Sequence, residues 1–421
     1  MSAKGLMILL TNYFPFFKGE EYIENEIDEA SLHFDKILII PTMATKQMSM
    51  TRRVPENVVV APLALDYSVP GRIKMVGTKL PVTIKSGNMR TELKKSLNLK
   101  QRAYSLYYYC RVEAVYSAIV QNEQYLALTE RYPASDTVLY SYWLHVTASV
   151  AARLKQRFFK NQVLFLSRGH RYDLYDYAAP CGYIPDREYM LNAINRVFAC
   201  SEDGAAFLRD FYKPYAGKIA VGRLGTLAHG AVSCGRTPVF TLVSCSAVRA
   251  VKRLDKIVDT LAILEQQGYR VKWFHLGDGD GLAATEQYAK KRLKPETCSF
   301  EGRIENARLF DWYRNHTVSC FVNLSDSEGV PVAIMEAMSF GVPVIATDAG
   351  GTKEIVLHGE NGYVVRTSDP VQSIAAACMK MIALSEGDYQ KMCAASVRIW
   401  NEKANAQQLY RDFYRDILQM L

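Results

Sequence analysis

The chain is predicted to be an α/β protein built from two doubly wound parallel sheets. Three observations carry that expectation. Short β-rich apolar runs alternate with helical segments, the alternation comes in two blocks, and a stretch with glycines, a proline and no apolar periodicity separates them. A length of 421 residues suggests two or three domains, and 49% hydrophobic content is ample for their cores.

In the first block the strand-like runs are Leu6 to Leu10, Ile37 to Ile40, Val58 to Ala61, Val138 to Tyr140, Val163 to Ser167, Val197 to Cys200 and Ile219 to Val221. The stretch AHGAVSCGRTP, Ala228 to Pro238, reads as a linker. The alternation restarts with Val239 to Ser244, Val271 to Leu276, Cys298 to Phe300, Val318 to Leu324 and Val342 to Ala346. The expected domains are therefore 1–232 and 239–399, two sheets facing each other across a cleft. The tail from Ser385 is helical and amphipathic, and its last part, 400–421, is expected to cross back onto the first domain.

No apolar run approaches the roughly 20 residues that span a bilayer, and the apolar stretch of MSAKGLMILLTNYFPF is too short for a signal sequence. The nine cysteines are scattered, with no C-x-x-C pair, which excludes a zinc or disulfide framework and predicts reduced thiols in a cytoplasmic chain. The net charge of +8 has one source: nine basic residues and one acid, Glu92, lie between Arg72 and Arg102. Aliphatic residues are interleaved, and Tyr104, Tyr107, Tyr108 and Tyr109 follow. Segment 72–109 thus suits an anionic membrane surface and a peripheral position on the inner face, and equally suits a solvated basic helix. No nucleic-acid motif accompanies the charge, so nucleic acid is not expected as a partner.

Chemistry is concentrated near the end of the second block. From Gly329 to Thr347 the only ionisable side chain is Glu336, and an ionised group in an apolar strand-helix-strand run needs a polar partner. A helix is expected to begin at Pro331, which suits the first helical position, and to stop at Gly341. Glu328 falls on the loop that leaves the strand Val318 to Leu324. Both carboxylates are placed near the carboxyl edge of a parallel sheet, where open α/β folds bind ligands. Backbone N–H groups of Gly329, Val330 and the helix start at Pro331 favour phosphate, and Lys252 can add a full positive charge. Lys252 is equally compatible with a solvated lysine at a helix start.

The segment SDSEGVPVAIMEAMSFGVPVIATDAGGTKEIV resembles the signature of retaining glycosyltransferases of sequence family 4, enzymes of GT-B fold that carry E-x(7)-E, here Glu328 and Glu336. VSCSAVRAVKRLDKIVDTL, HLGDGD, FEGRI, SRGHRYDLYD and FACSEDGAAFL agree in order and spacing, so the likeness covers most of the chain. It implies two Rossmann-like domains, with Glu328 on the transferred sugar, Glu336 on ribose hydroxyls and Lys252 on the leaving diphosphate. His170, in SRGHRYD, matches a histidine near the reaction centre, although a lone histidine is more often structural and Asp173 could simply orient it. His145 is a weaker candidate of the same kind. Gly277, in HLGDGD, is assigned to the donor site, and Gly19 matches a glycine loop near the phosphates, with Glu20 and Glu21 equally readable as helix-start carboxylates. The family pairs its lysine with an arginine five residues earlier, a position held here by Ala247; Arg249, Arg303 or Arg253 are the available substitutes.

The resemblance implies transfer from a nucleoside diphosphate sugar, such as a UDP- or GDP-sugar, to a glycan or lipid-linked acceptor in cell-surface polysaccharide synthesis. No cofactor and no metal are expected. The alternatives are a nucleotide-sugar hydrolase, epimerase or phosphorylase on the same scaffold, or a binding subunit without turnover, which Ala247 keeps open. A glycosidase pair fits less well, because the two glutamates flank one loop-helix unit with a phosphate-friendly helix start between them.

Overall fold

Parallel strands buried on both faces read as continuous apolar runs, and LMILLT, Leu6–Thr11, is buried at every position. It is β1 of a sheet completed by β2 (Lys36–Pro41), β3 (Val58–Val60), β4 (Thr137–Ser141), β5 (Leu164–Gly169), β6 (Arg196–Ala199) and β7 (Ile219–Val221). The order is β3-β2-β1-β4-β5-β6-β7, parallel throughout. In the second sheet β8 (Phe240–Cys245), β9 (Val271–Leu276), β10 (Cys298–Phe300), β11 (Cys320–Asn323), β12 (Val344–Thr347) and β13 (Gly362–Val365) run in the order β10-β9-β8-β11-β12-β13, again all parallel. This computed structural model describes residues 5–16, 20, 22–45, 47–63, 65–228 and 234–421.

Each order reverses once, between β1 and β4 in one sheet and between β8 and β11 in the other. Loops leaving the carboxyl ends of those neighbouring strands run to opposite sides, which opens a crevice at each switch point.

The chain divides into one unit of Met1–Arg223 with Gln407–Leu421 and another of Leu224–Ala406. The division falls earlier than residue 232 because the backbone is already bound into the second unit at Thr226. Thr226 N–H donates to Ala404 at 2.8 Å and its carbonyl accepts from Ala406 at 3.0 Å, while Trp400 Nε1 donates to its hydroxyl at 2.8 Å. Residues 229–233 of the expected linker lie outside the described residues. Two features were not read from the sequence. One is the edge strand β13, four residues long. The other is a helical insert between β3 and β4, made of Val69–Ile84, Gly87–Lys95, Leu99–Ile119 and Glu123–Arg131. Ser68, Asn98 and Asn122 cap three of its helices by accepting from backbone N–H groups.

The first unit is organised around a fully buried charge. Arg168, at 0% exposure, pairs with Glu26 at 3.1 Å and donates to Tyr140 Oη at 2.7 Å and to the Gly222 carbonyl at 2.6 Å. Glu26 also accepts from Tyr142 and from Tyr414, each at 3.0 Å. Phe413 lies against the guanidinium, 4.8 Å from ring centre to Cζ. The helix Ala406–Leu418 thereby docks on the first unit's sheet. Removing one partner of a buried pair leaves an uncompensated charge, at a cost of about 3–5 kcal/mol, whereas one lost hydrogen bond costs about 1 kcal/mol. Arg168→Met is therefore expected to lower the urea midpoint of the first unit far more than Tyr414→Phe; equal effects would remove the ion pair as its anchor.

Candidate functional site

At the second unit's switch point, the loop after β8 ends in the short 3₁₀ turn Ala250–Lys252 and the loop after β11 carries Glu328. Lys252 Nζ donates to Glu328 Oε1 at 2.7 Å and Asn323 Nδ2 reaches the same oxygen at 3.3 Å. The Asp326 N–H donates to the Val251 carbonyl at 2.9 Å, so the two loops are joined through backbone as well. Arg253 is not available to a phosphate. It sits at φ 48° and is engaged by Asp255 at 2.9 Å and Asp326 at 3.2 Å. Arg249 is exposed, with no acid partner among the described residues. Gly350, at φ +50°, lies so close under the Glu328 loop that a Cβ there would stand 2.1 Å from the Glu328 carbonyl oxygen, which only glycine permits.

The helix that follows spans Val332–Ser339, and Pro331 is its N-cap rather than its first helical residue, because ψ of 93° keeps it extended. Among the described residues no carbonyl accepts from the N–H groups of Gly329, Val330, Val332 or Ala333. These donors stand at the positive end of the helix dipole. Glu336 lies mid-helix, 9% exposed, with no hydrogen-bond or ion-pair partner for its carboxylate among the described residues. Burial alone pushes its carboxyl from the ordinary 4.5 up to about 7.

A cavity of about 380 Å³ opens at the carboxyl ends of β8 and β9; Glu336 is not one of its walls but lies close to Cys245, which is. Cys245, Ala247, Gly277, Asp278 and Arg303 are among its walls. Gly277, at φ +150°, is again obligatory, since a Cβ would lie 1.9 Å from the Ser246 carbonyl. Burial, with Glu336 nearby, pushes the Cys245 thiol up to about 12, so it stays protonated and is no nucleophile. The sequence did not point to His275, whose Nδ1 is 2.9 Å from Ser244 Oγ while Nε2 is buried without a partner; burial lowers it to about 4. Its strand-interior position gave no signal.

In the first unit His170 follows β5 directly and is buried, with both ring nitrogens unpartnered. Tyr22, Tyr142 and Trp143 surround it at centroid distances of 5.6, 5.2 and 4.4 Å. Burial, with Arg168 beneath, holds its pKa well below the usual range, so the ring is neutral. Asp173 does not orient that ring: it accepts from the backbone N–H of His170 at 2.5 Å and of Leu144 at 2.6 Å. His145 bonds Tyr104 Oη at 3.0 Å through Nε2, and burial holds it down at about 3. Glu20 is no helix-start carboxylate. It gathers the N–H groups of Asn12, Tyr13 and Phe14 at 2.9, 2.7 and 2.6 Å, and also accepts from Trp143 Nε1. Gly19 and Glu21 lie outside the described residues.

Residues 236–398 match the family described as glycosyl transferases group 1. The matched residues all lie within the second unit. The chain is 27% identical over 203 residues to the putative colanic acid biosynthesis glycosyltransferase WcaL of Salmonella typhimurium, covering 46% of this chain and 49% of that one. It therefore spans about half the length of that curated relative. Among solved structures it is similar to a sucrose-phosphate synthase from Thermosynechococcus elongatus, with TM-score 0.72, 15% identity and 99% of each chain covered. Anabaena HepE in complex with UDP and glucose gives TM-score 0.63 at 15% identity, covering 99% of this chain and 100% of that one. These likenesses give the fold, which is GT-B: two parallel-sheet, Rossmann-like units. Within the matched residues Glu328 and Glu336 have opposite electrostatic situations: Glu328 is paired with Lys252, and Glu336 has no hydrogen-bond or ion-pair partner among the described residues.

The sign of the Glu336 effect follows from its raised value. Where both folded and unfolded states are protonated, below about pH 4.5, the group costs nothing; as pH rises toward about 7 the buried carboxylate increasingly destabilises the unliganded fold. At about 1.4 kcal/mol per pH unit, Glu336→Gln is expected to raise stability at alkaline pH by up to about 3 kcal/mol, with the gain vanishing in acid. Denaturant titrations across pH check this, and a gain independent of pH would refute the assignment.

Proposed function

We propose that the protein is a retaining glycosyltransferase that moves a sugar from a nucleoside diphosphate sugar to a glycan or lipid-linked acceptor in cell-surface polysaccharide synthesis. The observation that carries this reading is Glu336, a buried carboxylate with no hydrogen-bond or ion-pair partner among the described residues, close to Cys245 in the wall of a cavity at the carboxyl ends of β8 and β9. Two hydroxyls of a ribose would supply the hydrogen bonds it lacks. The cavity walls at Gly277 and Arg303 suit the nucleoside. The donors at Gly329, Val330 and the helix start beyond Pro331, with Arg249, suit the diphosphate.

Lys252 carries the charge of the leaving group. In the unliganded protein it is held by Glu328 at 2.7 Å. A bound diphosphate would compete for that ammonium and free Glu328 for sugar hydroxyls. The sugar–phosphate bond breaks, the acceptor oxygen bonds to the anomeric carbon on the same face, and the acceptor proton passes to the departing phosphate oxygen. His170, neutral and with open ring nitrogens, is assigned to the transferred sugar. Every charge in this sequence is met by a side chain or backbone dipole, so the reaction is proposed to need neither metal nor cofactor. HepE, of the same fold, is known in complex with UDP and glucose, which supports a nucleotide-sugar donor.

Ala247 favours a second reading, a nucleotide-sugar-binding subunit without turnover. It lines the cavity at the position where the family's arginine would stand. A panel of nucleotide sugars, screened by thermal shift and then incubated with and without oligosaccharide acceptors in the presence of a chelator, separates the readings. Nucleotide released only with acceptor, and an unchanged anomeric configuration in the product, are expected; release without acceptor means hydrolysis, and binding alone means a subunit. Lys252→Ala is expected to lower transfer by about 10²-fold or more, equivalent to roughly 3 kcal/mol of transition-state stabilisation. Full transfer by this variant would remove Lys252 from the site.

A further inference from the structure

We infer that the helical insert of the first unit is a docking surface for an anionic lipid bilayer. This rests on the insert alone and is independent of the transfer reading above. The helix Val69–Ile84 buries Gly71, Met75 and Thr83 and turns Val69, Ile73, Val76, Leu80 and Ile84 onto another face at three- and four-residue steps. Val69 and Ile73 are 71% and 69% exposed. Leu97 and Leu99, at the turn between the next two helices, are 88% and 81% exposed. Behind them a groove of about 580 Å³ is lined by Leu93, Leu99, Ala103 and Leu106, with Lys94 and Arg102 among its walls.

The charge on this surface is unspent. Of the nine cations from Arg72 to Arg102, the described residues give an acid partner only to Lys95, which reaches Glu188 at 2.5 Å. Lys85, Lys94, Lys100 and Arg102 are left beside exposed aliphatic side chains, and they repel one another until anions arrive. Aliphatic tips with a cationic surround match a headgroup layer over hydrocarbon, where leucines enter and ammonium groups stay among phosphates. The exposed large apolar residues of the insert are Val69, Ile73, Val82, Ile84, Leu97, Leu99 and Leu126, all aliphatic. Single-stranded nucleic acid is instead bound on exposed aromatic platforms. No helix among the described residues is long and apolar enough to cross a membrane, so the contact is with the surface layer.

The test is co-sedimentation of the full chain with vesicles of phosphatidylcholine, alone or mixed with phosphatidylglycerol. Binding is expected on the mixed vesicles and not on the neutral ones. Replacing Lys94 and Arg102 together by Gln should lower the partition coefficient roughly 30-fold, at about 1 kcal/mol per cation. Leu97→Ser with Leu99→Ser should lower it about tenfold or more, including at high salt where charge is screened. Both pairs are surface changes whose far-UV spectrum should match the parent. Lys290→Gln with Lys291→Gln, on an exposed face of the second unit, should leave binding unchanged. Equal binding to neutral vesicles, no binding to anionic ones, or undiminished binding by either insert variant would overturn the proposal, as would capture by single-stranded RNA without vesicle binding.

Discussion

One topological constraint places the candidate chemistry in both units: the parallel strand order reverses once in each sheet. Neighbouring strands at the reversal send their loops apart, and only there can side chains from two loops meet over open space. Lys252 and Glu328 come from the loops after β8 and β11. Glu20 and Trp143 come from the loops after β1 and β4. Glycines set the tolerance of this arrangement, since the loops at Gly277 and Gly350 approach neighbouring backbone too closely for any side chain.

Three buried acids show three ways of managing a carboxylate away from water. Glu26 meets a guanidinium and three tyrosines. Glu20 meets successive backbone N–H groups at a turn. Glu336 meets no hydrogen-bond or ion-pair partner among the described residues, and its carboxyl is pushed up to about 7. The first two are structural solutions. The third leaves an unmet hydrogen-bonding capacity that a ligand can satisfy, and that asymmetry distinguishes a site from a core.

Much of this was legible in the chain. Apolar runs separated by helical segments marked most of the strands, because strands covered on both faces carry little polar sequence. Glu336 stood out because its neighbours are apolar over a full strand-helix-strand unit. Other features left no mark. The edge strand β13 is too short to show a pattern. Pro331 was read as the first helical residue because its fixed φ suits that place, but its extended ψ makes it the cap. The aromatic cage of His170 draws on Tyr22, Tyr142 and Trp143, which only tertiary folding brings together. Glu20 resembled a helix-start acid until the turn it closes was seen. The basic insert was legible as charge and as a basic helix, but not as four separate helices, since its caps are ordinary Ser and Asn residues.

The docked helix Ala406–Leu418 makes the first unit discontinuous in sequence. During synthesis the ribosome releases Glu26 and Arg168 early, whereas Phe413 and Tyr414 follow the whole of the second unit. The nascent first unit must therefore wait, its ion pair open on one side and lacking one hydroxyl, until the second unit has been synthesised. The second unit, continuous from Leu224 to Ala406, is free to mature first.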